Sequence, residues 1–129
     1  MAKLSNLVNT SLNKEVIKIQ GVAIPVIFTM RSFPFVEQAY GKQYLFFEKE
    51  LNNMMSNKNQ TMGHKETKLM YALVYAMVRT GGTECTLSEI EGSISFSDLP
   101  DIFEKVMGIF NNQTFQKTDM ERIKTAKKS

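Results

Sequence analysis

Any chemistry in a chain of 129 residues with one histidine and one cysteine must come from very few side chains. His64 lies between Gly63 and Lys65 in a polar stretch. Its imidazole could act as a general base, but a lone histidine at a helix start reads as solvated. Cys85 ends the run Gly-Gly-Thr-Glu-Cys, with no histidine beside it in sequence to take its proton. It reads as a free thiol, and a single cysteine excludes an internal disulfide and a multi-cysteine zinc site. Gly81-Gly82 lacks the lysine and the strand-to-helix setting of a phosphate loop and reads as a turn. Glu48 and Glu50 do not face each other on a helix, and Asp98 with Asp101 suit the positive end of a helix dipole. Ligands at metal-binding spacing are absent. The expectation is a non-enzyme with no catalytic residue, metal or cofactor.

The elements that position these residues follow from periodicity. Glu15 to Met30 reads as a β-hairpin: Val16, Ile17 and Ile19 form one strand, Gln20-Gly21 the turn, and Ile24, Val26, Ile27 and Phe28 the return strand. Pro25 has no ladder donor, which makes the return strand an edge. Ser32 is the expected N-cap of the next helix, with Pro34 in its first turn and Glu37 near its positive end. On a helical wheel Phe33, Val36, Tyr40, Tyr44, Phe47, Leu51 and Met54 form one stripe that passes through Gly41, where a break or kink is expected. A helix from about Gly63 to Arg79 follows, with Leu69–Val78 buried on most sides. Thr86 and Glu89 form a capping box ahead of Leu87, Ile90 and Ile94. Ser97 then caps a last helix with Pro100 in its first turn and a stripe of Leu99, Ile102, Phe103, Val106 and Phe110. The predicted architecture is α+β: an N-terminal two-stranded hairpin packed on four to five helices. Residues 1–13 are expected to be a flexible N-terminus, 14–112 one globular domain, and 113–129 a disordered basic tail.

Charge is unevenly placed. The net +3 sits in residues 113–129, where Lys117, Arg122, Lys124, Lys127 and Lys128 outnumber Asp119 and Glu121; the body is neutral. A neutral body disfavours nucleic acid, which needs several cations on one face. The tail could dock on acidic protein or nucleic acid, or simply be a solvated terminus. No signal-peptide core is visible. The longest apolar run falls well short of the roughly 20 residues that span a bilayer. No membrane partner is expected.

The apolar side chains exceed what one stripe can use. Phe35 and Phe46 fall opposite it, and methionines, nine in all, cluster in or beside the middle helices as Met54, Met55, Met62, Met70 and Met77. Deformable methionine and aromatic surfaces suit partner binding, and these seven residues are the expected partner site. A second core layer is the competing explanation for any one of them. Surplus apolar surface and a sheet of two strands also predict self-association.

The order of these motifs carries a resemblance. A hairpin with central Gly21, then FTMRSFPFVEQAYG, FFEKELN, LMYALVYAM and TLSEIEGSISFSDLPDIFEKV, resembles the small tail assembly chaperones of long-tailed phages of Gram-positive bacteria over roughly residues 14–110. The resemblance implies a protein made in the host cell cytoplasm. It would bind apolar helical segments of the tape measure protein while tail tube protein polymerises around it, and be absent from the mature virion. It also implies a second, longer form made by ribosomal frameshifting, with which the ending KTAKKS is compatible. Two rivals belong to other classes. One is a structural head–tail connector or tail-completion protein that adds its exposed strand to a neighbour's sheet. The other is a nucleic-acid-binding regulator acting through the tail.

Overall fold

The computed structural model describes residues 3–7, 15–56 and 63–112. Within the expected flexible N-terminus, Leu4–Leu7 (α1) form one helical turn with both leucines exposed. The rest of residues 1–13 and the basic tail 113–129 lie outside the described residues.

Strands β1 (Glu15–Ile19) and β2 (Val22–Val26) pair antiparallel, with Ile17 opposite Ile24 and Val16 opposite Pro25. Gln20 (φ 54°) and Gly21 (φ 79°) both take positive φ, the type I′ geometry whose twist matches a two-residue hairpin. Gln20 also donates from Nε2 to the Ser93 carbonyl at 3.0 Å, fastening the turn to the helices. β2 stops at Val26, short of the expected Phe28. The Ile27 N–H turns away to the Met77 carbonyl (3.3 Å), and Phe28 drops inward among Phe33, Tyr44 and Phe110.

A 3₁₀ turn, Met30–Ser32, leads into α2 (Phe33–Tyr40), then α3 (Tyr44–Ser56), α4 (His64–Thr80), α5 (Leu87–Ser93) and a helix over residues 99–112 (α6). α+β is the observed class. Ser32 stands at the N-cap of α2 as expected, but its side chain makes no cap bond to that helix. Thr29 caps the preceding 3₁₀ turn, its Oγ1 accepting from Arg31 N–H at 3.1 Å. Ser32 is fully buried; its Oγ lies 2.7 Å from Thr80 Oγ1, whose own proton goes to the Ala76 carbonyl. The Ser32 hydroxyl therefore ties α2 to the end of α4.

The expected break at Gly41 is there: its φ of 84° is left-handed, and its N–H closes α2 on the Glu37 carbonyl. Glu37 does not serve the start of α2. Its Oε2 accepts from Tyr44 N–H at 2.9 Å and so satisfies a free donor at the start of α3. The stripe keeps its phase across the break: Val36, Tyr40, Tyr44, Phe47 and Leu51 are buried, and Phe33 stacks on Tyr44 at 3.7 Å between ring centroids. Burial raises the Tyr44 hydroxyl pKa, with a smaller push from Glu48.

α4 is the axle of the fold. Every residue from Ala72 to Val78 is buried, and the helix packs on α2, α3, α5 and β2. Buried Glu66 caps it by accepting from Gly63 N–H at 2.8 Å. At its far end a Cβ on Gly81 would lie 2.3 Å from the Pro25 carbonyl oxygen, so helix and strand meet only because that position has no side chain. The capping box on α5 forms as expected, with Thr86 N–H to Glu89 Oε1 at 2.9 Å and Glu89 N–H to Thr86 Oγ1 at 3.1 Å. α6 begins one residue later than expected: Asp98 offers the first helical carbonyl, to Ile102, and Ser97 shares a hydroxyl contact with Ser95. Its Ile102, Val106 and Phe110 are buried, with Leu99 and Phe103 half-buried against the core.

Candidate interaction surface

His64 and Cys85 are kept apart by the fold. His64 is exposed at the first residue of α4, and Cys85 lies beyond its last. The helix between them is 17 residues long, roughly 25 Å, so they cannot act as nucleophile and base. Cys85 is half-buried; desolvation pushes its thiol pKa up, which the Arg79 guanidinium partly offsets. Gly81-Gly82 form the turn after α4, the first against Pro25. Glu50 pairs with Lys65 at 2.7 Å and links α3 to α4. Among the described residues no three of His, Cys, Asp and Glu gather where they could hold a metal ion, and no helix is long and apolar enough to cross a membrane.

The seven residues expected to bind a partner fall into different environments. Met70 and Met77 are corrected to core: they are 1% and 0% exposed, because α2, α3, α5 and β2 all pack on this helix. Met54 and Met55 are half-buried and pack against the core from the end of α3. Met62 lies outside the described residues. Phe35 is half-buried: its ring meets Tyr75 edge-on at 6.4 Å, and the Arg79 guanidinium sits 4.8 Å above it. That guanidinium also donates to the Tyr75 hydroxyl and the Cys85 carbonyl, each at 3.1 Å, which holds the cover in place. Phe35 is therefore covered from within the chain.

Phe46 does reach solvent. It is 40% exposed, and its neighbour Leu45 is 75% exposed. The reason is local: Tyr44 and Phe47 take the inward positions of α3, which leaves the two residues between them on the outer side. Lys42 stands over the Phe46 ring at 4.3 Å. Lys49, four residues on from Leu45, lies exposed one turn along the same side. The result is an apolar pair edged by two ammonium groups. Leu45 was legible in Tyr-Leu-Phe-Phe, where a stripe through 44 and 47 excludes 45 as well as 46. Met30 and Phe96 (91% exposed) are further apolar outliers, in turns where no helical phase assigns a side.

On the opposite side of the element order, β1 and α6 border a groove of about 330 Å³ lined by Val16, Ile17, Lys18, Asp98, Asp101, Ile102 and Lys105. Lys105 approaches Glu15 at 3.6 Å beside it. No protein-family model, curated protein or solved structure matches this chain, so its geometry and its sequence motifs carry the functional reading alone.

Proposed function

We propose that this protein is a phage tail assembly chaperone, a binding protein and not an enzyme. It acts in the host cytoplasm, holds apolar helical segments of the tape measure protein in solution while tail tube protein assembles, and stays out of the finished virion. The resemblance in motif order suggests the class of client. The observation that carries the reading is the pair Leu45–Phe46, large apolar side chains set outward on α3 that the interior does not use. Such a pair, edged by Lys42 and Lys49, suits the apolar seam of an amphipathic helix with acidic flanks.

The test is co-expression with the tape measure protein of the same phage. The client is expected to become soluble and to co-purify, and the double substitution Leu45→Glu, Phe46→Glu is expected to abolish both effects while leaving the helical circular dichroism intact. A client as insoluble as when made alone overturns the proposal. Finding the protein in purified virions by mass spectrometry favours the connector reading instead.

A further inference from the structure

We infer that the outer edge of β1 is a docking surface for a second copy of this chain: β1 pairs with β1 about a two-fold axis at Ile17, and two hairpins become one four-stranded antiparallel sheet. The hairpin has two outer edges, and they are not equivalent. In a two-residue hairpin the pair flanking the loop, here Ile19 and Val22, exchanges both backbone hydrogen bonds, and bonded pairs then alternate with non-bonded ones. Val16–Pro25 and Lys18–Ala23 are the non-bonded pairs, so their backbone groups point outward. On β2 that edge is blocked at its Pro25 end. Pro25 has no N–H, its carbonyl lies against Gly81, and the following Ile27 N–H is taken by Met77. On β1 the N–H and C=O groups of Val16 and Lys18 meet no strand among the described residues. The strand carrying Pro25 is an edge, as expected from sequence; in a sheet of two strands β1 is the other edge, and it keeps its donors. The groove between β1 and α6 gives an incoming strand room alongside. A row of unspent backbone groups beside a groove selects an extended chain.

The occupant is a second copy because β1 is complementary to itself in one register. With Ile17 opposite the partner subunit's Ile17, Val16 lies opposite the partner's Lys18, and the outward groups of both strands bond reciprocally. Shifting the axis to Lys18 sets ammonium against ammonium. Like charges are unfavourable directly across a sheet, and shifting the axis to Val16 leaves Lys18 and Ile19 with no opposite residue inside the partner's β1 (Glu15–Ile19). The groove carries Asp98 and Asp101 with Lys18 and Lys105, equal acid and base, so two copies approach without net like charge. Neither step involves a client protein, so the inference stands or falls separately from the chaperone proposal.

The test uses the full chain and two substitutions at Val16, whose side chain is on the solvent face of the hairpin, 44% exposed. Sedimentation velocity of the native protein should show a dimer that dissociates on dilution, with the Val16 and Lys18 amides protected from exchange only in the dimer. Val16→Glu places a carboxylate opposite the partner's Lys18 twice per dimer and should tighten association. Val16→Lys places an ammonium there and should weaken it, the two variants differing roughly tenfold or more in dissociation constant. Equal effects of the two variants, or a dimer whose Val16 and Lys18 amides exchange freely, overturn the inference. A monomer overturns it too; if those amides are nevertheless protected, the chain's own residues 113–129 cover the edge instead.

Discussion

α4 and the outer side of α3 are both rich in long apolar side chains, and they use them in opposite ways. In α4, Leu69, Met70, Leu73, Val74, Met77 and Val78 are each at most 1% exposed, surrounded by α2, α3, α5 and β2. On α3, adjacent residues part company: Phe47 is fully buried, while Leu45 and Phe46 face water. Neither composition nor residue type separates these cases. What separates them is how many neighbours the element has. An element packed on all sides consumes every apolar residue it carries, methionines included; one packed on a single side has residues left over, and those are available to a partner.

Three substitutions sharpen or break that contrast. Leu73→Ala opens a cavity where no neighbour can move in, and should cost about 2–5 kcal/mol, read as a lower midpoint in urea. Gly81→Ala forces the contact between α4 and β2 apart and should cost roughly 1–3 kcal/mol, because the clash is with backbone and cannot be relieved by a rotamer. Phe46→Ala should change stability by no more than about 0.5 kcal/mol while weakening client binding. If Phe46→Ala destabilised the fold as much as Leu73→Ala, the outer side of α3 would belong to the core and the distinction would fail.

The same distinction explains what was legible in the sequence. Alternation and a two-residue turn sufficed for the hairpin, and Thr-x-x-Glu sufficed for the start of α5, because each signal is complete within a few residues. The stripe crossing Gly41 kept its phase, so Val36, Tyr40, Tyr44, Phe47 and Leu51 were all identifiable as core. The misplaced side chains are those whose partners are far away in sequence. Ser32 holds the cap position but spends its hydroxyl on Thr80, and Phe35 looks free until Arg79 is laid over its ring. Glu37 looks like a dipole partner for its own helix, yet spends its carboxylate on the next one. Met70 and Met77 carried the contradiction in the sequence itself, since a run buried on most sides cannot also lend its methionines to a client. Pro25 marked β2 as an edge, which it is; only the register, which pairing reveals, shows that the missing donor falls on the outer side of β2 and that β1 keeps its own.

The Glu37 carboxylate bound to the Tyr44 amide has a mechanical consequence. A left-handed glycine between two short helices would by itself act as a swivel, free to set α3 at many tilts. The carboxylate spans that swivel as a brace and adds to the burial of Tyr44, Phe47 and Leu51 in setting the angle at which Leu45 and Phe46 stand out. In the proposed role, a client that gripped them would lose little of its grip to stiffening a loose arm.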